Sequence, residues 1–182
     1  MTRSWRTFRP PEKIGLTEWA DRYRFLPSES SESHGRYRSS RTPYIVGIHA
    51  AMEDPDIPDV VVMKSAQVGW TDGGVVNYVL WLVDTVGRGI IWMFPRKESA
   101  QDLVQERFNP TIEVTPRIRA KIPTSTQKKD GNKELFRKFP GGWIKFIGSH
   151  SATGAKSSSA PVVIFEEPDD ADADVGGQGG AI

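Results

Sequence analysis

Cysteine is absent from this chain of 182 residues, and histidine occurs only three times. Without thiols the chain forms no disulfide and no thiolate zinc site, which fits a reducing cytoplasm. The histidines, His34, His49 and His150, are scattered without the spacing of metal ligands. A disulfide scaffold is therefore excluded, and a histidine metal site is not indicated.

Long apolar runs and a surplus of one charge are missing as well. No apolar run approaches the ~20 residues that a membrane span needs, and the basic start, Met1 to Arg6, leads into no apolar signal core. The formal net charge is +1, so no global field indicates a polyanionic partner. With 37% hydrophobic and 26% charged residues, we expect one soluble, unexported domain with its own core.

The most informative stretch runs from Val60 to Thr71. Its first four residues, Val60 to Met63, are apolar and predict a strand buried on both faces. A turn-forming stretch follows, and the apolar run from Val75 to Val83 then predicts a buried helix. Strand, loop and helix in this order are typical of a P-loop, where loop amides and a helix N-terminus surround phosphate and a Ser/Thr hydroxyl binds magnesium.

The residues of this loop depart from the standard P-loop pattern. With Thr71 at the Ser/Thr position, Gly69 falls on the second glycine, Trp70 replaces the usual lysine, and Lys64 replaces the first glycine. A lysine at the front of the loop can still reach the phosphates on its four-carbon stem, because it acts as a point charge. The alternative is a buried strand-to-helix turn with a surface lysine.

A second apolar run, Val162 to Phe165, ends in two carboxylates, Glu166 and Glu167. This pattern is typical of a Walker B strand, whose first acid holds the magnesium shell and whose second polarises the attacking water. Glu166 stands where aspartate is usual, so its carboxylate lies one methylene further out. The alternative is a core strand that ends at a polar loop. Taken together, the two stretches favour a nucleotide site.

The remaining segments predict an alternation of helices and strands. Helical patterns cover Leu16 to Tyr23, Pro43 to Met52 and Lys97 to Phe108, and Gly89 to Pro95 is an apolar strand. Strand, helix, strand, helix indicates a mostly parallel sheet covered on both faces, with right-handed crossovers.

Between Thr115 and Lys145 the sequence becomes basic, and Pro140-Gly141-Gly142 predicts the turn of a β-hairpin there. This segment either lies along a phosphate backbone or is a solvated hairpin, and the residues alone favour neither interpretation. Its cations are Arg117, Arg119, Lys121, Lys128, Lys129, Lys133, Arg137, Lys138 and Lys145.

The chain resembles the N-terminal ATPase part of the tailed-phage terminase large subunit, in the branch typified by phage lambda. The resemblance covers nearly the whole chain, and in that branch the lysine does stand at the front of the loop, as Lys64 does here. It rests on these stretches: Leu16 to Asp21, Gly35 to Tyr44, Lys64 to Gly69, Pro140 to Gly142, and the strand ending in Glu166 and Glu167.

The resemblance implies a RecA-like P-loop NTPase that hydrolyses ATP with Mg²⁺. Lys64 would contact the β- and γ-phosphates, Thr71 and Glu166 would ligate magnesium, and Glu167 would orient the attacking water. Tyr44 would be a candidate for stacking on the adenine. The loop amides would come from Ser65, Ala66, Gln67, Val68, Gly69 and Trp70.

The same resemblance implies a motor that drives double-stranded viral DNA into a procapsid in the host cell cytoplasm. Its expected partners are the DNA, the small terminase subunit, the procapsid portal and further copies of the chain, with no membrane. We expect a basic arm and loop region over residues 1–42 and a P-loop ATPase domain over residues 43–182. That domain is expected to be truncated at its C-terminus, without the nuclease domain of the family. The alternative is a non-catalytic DNA-binding or assembly fragment whose loop is only architectural.

Overall fold

The structure, a computed structural model, describes residues 12–28, 34–122, 133–149 and 159–171. These residues form a mixed α/β fold with a four-stranded, mostly parallel sheet and packed helices. The basic arm from Met1 to Pro11 and most of the acidic tail lie outside the described residues. In the described part of the chain, no helix is long and apolar enough to cross a membrane.

The N-terminal elements pack onto the rest of the domain. Helix α1 (Leu16–Tyr23) confirms the predicted helix and buries Leu16, Trp19 and Ala20, which recur at helical spacing. Strands β1 (Phe25–Leu26) and β2 (Gly35–Arg36) form a small antiparallel pair. Helix α2 (Tyr44–Glu53) packs against α1. The expected division at residue 42 stays a prediction.

Two long helical segments follow. The 71–86 helix is continuous, with π-helical turns over Thr71–Val76 and Leu82–Val86 around an α-helical stretch, Asn77–Trp81. The 97–114 helix confirms the pattern that begins at Lys97, although it continues beyond Phe108. A short helix, Pro116–Arg119, comes next.

The main sheet has the strand order β4-β5-β3-β6. Strand β3 pairs in parallel with β5 and β6, and β4 pairs antiparallel with β5, which confirms the predicted hairpin. The strands are β3 (Gly89–Phe94), β4 (Phe136–Phe139), β5 (Gly142–Gly148) and β6 (Val162–Phe165). Because parallel strands end at one edge, the segments that follow β3, β5 and β6 meet there.

The predicted strand from Val60 to Met63 is wrong for this structure. These residues belong to no strand, and Val61 and Met63 are 94% and 100% exposed. An apolar β-branched run favours extended backbone, but a strand also needs a neighbour to pair with. Among the described residues none pairs with this run.

Several cations of the predicted basic segment are engaged inside the protein. Arg117 and Lys121 both pair with the buried carboxylate of Asp84. The guanidinium of Arg137 is buried and donates to the carbonyl oxygens of Lys133 and Glu134 and to the side chain of Asn109. Lys128 and Lys129 fall outside the described residues. The described part of this segment therefore uses three of its cations to hold the fold together.

Candidate functional site

The two carboxylates predicted to follow an apolar strand do follow β6, at the edge of the sheet where the parallel strands end. The backbone N–H of Glu166 donates to the carbonyl oxygen of Met93 at 2.9 Å, which extends the ladder between β6 and β3 by one residue. Glu166 is only 7% exposed, whereas Glu167 is exposed and has φ 50° and ψ 57°. This left-handed conformation is uncommon for a residue other than glycine, and such residues concentrate at functional sites.

The loop that begins at Lys64 lies against these carboxylates. The hydroxyl of Thr71 donates to Glu166 Oε1 at 2.9 Å. The ammonium of Lys64 lies 3.4 Å from Glu167 Oε1. Two pairs of side chains therefore meet, and the partners in each pair lie about a hundred residues apart in sequence. Each pair joins a predicted loop residue to a predicted Walker B carboxylate.

The backbone of the loop takes two left-handed turns. Gln67 has φ 58° and Gly69 has φ 70°, and the carbonyl oxygen of Gly69 accepts the first bond of the 71–86 helix, from Gly73 N at 2.8 Å. The hydroxyl of Tyr44 donates to the carbonyl oxygen of Val68. Helix α2 therefore contacts the loop through Tyr44. The sequence had suggested only that Tyr44 stacks on an adenine ring. Ser65, Ala66 and Gln67 are exposed.

Trp70 occupies the position where a standard P-loop has lysine, and its ring packs against the helix and the core. It lies on the helix that it begins, so closely that a Cβ added to Gly74 would be 2.4 Å from the ring. The ring is partly buried against the core. Its side chain therefore packs on the helix, and Lys64 is the loop residue whose cation contacts a carboxylate, that of Glu167.

A buried histidine anchors the first turn of the 71–86 helix. His49 lies between the hydroxyl of Thr17, at 3.0 Å, and the carbonyl oxygen of Gly73, at 2.8 Å. Asn77 donates to the same carbonyl at 2.9 Å. A Cβ at Gly73 would be 2.5 Å from Ile45 Cδ1, so only glycine lets α2 approach this closely. Helices α1 and α2 therefore fix the turn that carries Thr71.

Asp72, next to Thr71, is held by two arginines. Arg24 is fully buried and binds Asp72 Oδ1 at 3.2 Å and the side-chain oxygen of Asn77 at 3.1 Å. Arg107 is half exposed and binds Asp72 Oδ2 at 3.2 Å. A buried guanidinium needs such partners, because an unpaired buried charge is costly. This network fixes the first turn of the helix, next to Thr71.

Burial shifts the pKa of several groups around the loop. It raises the pKa of Glu166, and the charge of Glu167 adds to that rise, whereas the Thr71 hydroxyl, Lys64 and the Trp92 indole oppose it. Burial lowers the pKa of His49 and lowers that of Arg24 to about 10. His49 is therefore neutral at pH 7, and Arg24 remains charged.

The donor set around Glu166 fits a magnesium ion that is bound mainly through phosphate. Hydroxyl and carboxylate oxygens are ligands that Mg²⁺ accepts, and it usually needs only one or two carboxylates beside phosphates and water. In the described part of the chain, Glu166 Oε2 is buried and has no hydrogen-bond partner. The described residues contain no group of three or more His, Cys, Asp or Glu that could hold a metal without phosphate.

Sequence reasoning missed several residues of this site. Asp72 directly follows Thr71, and Gly73 and Asn77 lie four residues apart on one helix face, so their positions gave a local signal. Arg24 and His49 gave none, because nothing in the sequence shows that they are buried against this helix.

A parallel sheet, a loop that leads into a helix and two carboxylates at the sheet edge define an α/β protein with a candidate phosphate-binding site. Comparison with protein families then identifies the family. The chain belongs to the family described as phage terminase large subunit gpA, ATPase domain, whose model matches residues 31–182. The resemblance noted from the sequence is confirmed.

Two curated relatives agree with this assignment. The chain is 27% identical to "Terminase, large subunit" of Enterobacteria phage P21 over 172 residues, which are 93% of this chain and 26% of the relative. It is 28% identical to "Terminase, large subunit" of Escherichia phage lambda over 160 residues, 86% of this chain and 24% of the relative. The chain thus spans about a quarter of the length of these relatives. No solved structure matches it significantly.

Proposed function

We propose that this chain is the ATP-hydrolysing part of a terminase large subunit, which uses ATP to drive double-stranded viral DNA into a procapsid. The observation that carries the proposal is the pair of contacts between loop and sheet edge, Thr71 with Glu166 and Lys64 with Glu167. Family membership supports the activity, and the geometry supports the residues. The proposed fold is RecA-like, with helices on both faces of the sheet.

In the proposed site each side chain has one task. Lys64 leaves Glu167 to neutralise the β- and γ-phosphates, and Glu167 is then free to orient the attacking water. Thr71 and Glu166 would hold Mg²⁺, which neutralises phosphate charge when bound. The exposed loop from Ser65 to Gly69, with Trp70 at its end, offers backbone amides to phosphate oxygens. Catalysis here consists of positioning and charge neutralisation.

The proposed partners follow from the family. They are double-stranded DNA, the small terminase subunit, the procapsid portal and further copies of the chain, in the host cell cytoplasm. Tyr44 remains proposed to stack on adenine, which its half-exposed ring allows while its hydroxyl holds the loop at Val68.

The test is calorimetric binding of ATP with magnesium to the wild-type chain and to Lys64→Ala. We expect binding that requires magnesium and that Lys64→Ala abolishes. The matched control is Lys13→Ala, which removes an exposed lysine outside the site and should bind as the wild type does. A folded wild-type chain that binds no nucleotide would contradict the proposal for this chain.

The alternative, a DNA-binding or assembly fragment with an architectural loop, predicts a different result. It requires salt-sensitive DNA binding that is indifferent to Lys64→Ala. The internal use of Arg117, Lys121 and Arg137 weakens it, because those cations are already paired within the fold.

A further inference from the structure

Trp92 and Glu166 each bury a polar atom without a partner. The indole N–H of Trp92 is a donor, Glu166 Oε2 is an acceptor, and neither has a partner of ordinary hydrogen-bond distance and angle among the described residues. A buried tryptophan N–H usually finds a partner, because leaving a buried donor unpaired is destabilising. An unpaired donor and an unpaired acceptor in one region suggest that they are each other's hydrogen-bond partners.

The sheet register brings the two side chains to the same face. Trp92 is paired with Ile164, and Glu166 follows Ile164 by two residues, so alternation turns both side chains to one side of neighbouring strands. The bond from Glu166 N to the carbonyl of Met93 continues that register. Neighbouring strands lie about 4.7–4.9 Å apart, so a long aromatic side chain on one strand can reach a residue two positions further along the other.

Three phenylalanine rings fix the orientation of the indole. The Trp92 ring lies 5.5 Å from that of Phe94, 5.6 Å from Phe146 and 6.2 Å from Phe108, measured between centroids. Trp92 is fully buried. A donor that is locked by packing presents its N–H in one direction, which is the requirement for positioning a second group.

We propose that Trp92 is a positioning residue, whose indole N–H donates to Glu166 Oε2 and holds the carboxylate towards Thr71. The inference rests on the proposed role of Glu166. Thr71 already binds Oε1, so the carboxylate is held through both of its oxygens. Each oxygen has two lone pairs, so Oε2 keeps room for a metal ion. The lowering effect of the indole on the pKa of Glu166 agrees with a short distance between them.

The first test is the indole resonance of Trp92 in ¹H–¹⁵N spectra of the full chain labelled at tryptophan. Six indole signals are expected from six tryptophans, and Trp92→Phe identifies the one that belongs to Trp92. Glu166→Gln should move that signal upfield and leave the other five in place, because a neutral amide is a weaker acceptor than a carboxylate. If the Trp92 signal does not shift in Glu166→Gln, the contact is overturned. This comparison leaves Trp92 itself unchanged.

The second test is binding of ADP as a function of magnesium concentration. Trp92→Phe keeps an aromatic ring, although a smaller one, and removes the donor. Loss of such an outer partner should weaken apparent magnesium affinity about tenfold. The control is Trp81→Phe, which removes an indole N–H bonded to the carbonyl of Ile14 and should leave that affinity unchanged. Equal magnesium dependence in wild type and Trp92→Phe overturns the positioning role. If the wild type binds no nucleotide, the proposed function and this role fail together, while the resonance still decides the contact.

Discussion

Two apolar runs of similar composition, Gly89–Phe94 and Val60 to Met63, have opposite surroundings. The first is strand β3, with β5 on one side and β6 on the other, and Ile90 and Trp92 are fully buried. The second has no paired strand among the described residues, and Met63 is fully exposed. Both lead towards the candidate site. An apolar run therefore becomes core only where neighbouring backbone satisfies its N–H and C=O groups and neighbouring side chains cover it.

The largest expected effect tests this contrast directly. Trp92→Ala should lower the free energy of unfolding by about 3–5 kcal/mol, because it empties a site enclosed by three aromatic rings. Met63→Ala, the matched change in the exposed run, should stay within about 0.5 kcal/mol. Urea denaturation of both variants is the measurement. Equal losses would mean that the run from Val60 to Met63 is buried in solution.

The helix that follows the loop is anchored by buried groups, whereas the exposed run that precedes the loop is not. Arg24→Met should lower the free energy of unfolding by about 3 kcal/mol, because breaking a buried ion pair leaves a buried polar group uncompensated. Arg107→Met removes the other partner of Asp72 but is half exposed, so it should cost less than about 1 kcal/mol. The comparison again uses urea denaturation. A cost for Arg107→Met as large as that for Arg24→Met would show that exposure does not decide the strength of these pairs.

Within the site, the comparison between buried and exposed groups can be tested at Glu166. Burial raises its pKa, so the ionised carboxylate disfavours folding at neutral pH. That cost is absent below the unfolded pKa of about 4.3, grows as the pH rises from there towards the folded pKa, and is fully present above it. Glu166→Gln should therefore melt a few degrees higher at pH 7, since about 1 kcal/mol moves the melting temperature by roughly 2–4 °C in a chain of this size. The two melting temperatures should converge near pH 4.

Exposed Glu113 provides the control for that measurement. Glu113→Gln should leave the pH dependence of melting as in the wild type. A Glu166→Gln chain that melts lower than the wild type at pH 7 would contradict a destabilising carboxylate.

The smallest effect is expected at the contact between the loop lysine and the exposed carboxylate. Lys64 and Glu167 are 23% and 54% exposed, and pairs at such positions are worth about 0.2–1 kcal/mol. Glu167→Gln frees Lys64 for phosphate, so ADP should bind about two- to fivefold more tightly. Asp169→Asn, which removes an exposed charge nearby, controls for the general field. Unchanged affinity in Glu167→Gln would show that the ion pair does not compete with phosphate.

The sequence predicted those features whose physical cause lies within a few neighbouring residues. Helix α1, helix α2, strand β3, the β4–β5 hairpin and strand β6 were all predicted, because apolar spacing and turn residues signal them locally. The strand at Val60 to Met63 was predicted wrongly, since its pattern says nothing about a partner. Lys64, Thr71, Glu166 and Glu167 were selected by pattern, and the structure brings them together. Their roles in ATP hydrolysis stay predictions.

The sequence by itself determined the alternation of helices and strands, the lysine at the front of the loop, the two carboxylates after an apolar strand, and the family. Only the tertiary structure decided which groups meet: Thr71 with Glu166, Lys64 with Glu167, Arg24 with Asp72, and Trp92 on the face of Glu166. The physical reason is the distance along the chain over which each kind of interaction acts. Propensity and hydrophobic spacing act over a few residues, whereas burial, pairing and pKa shifts arise between groups that folding brings together from distant parts of the chain.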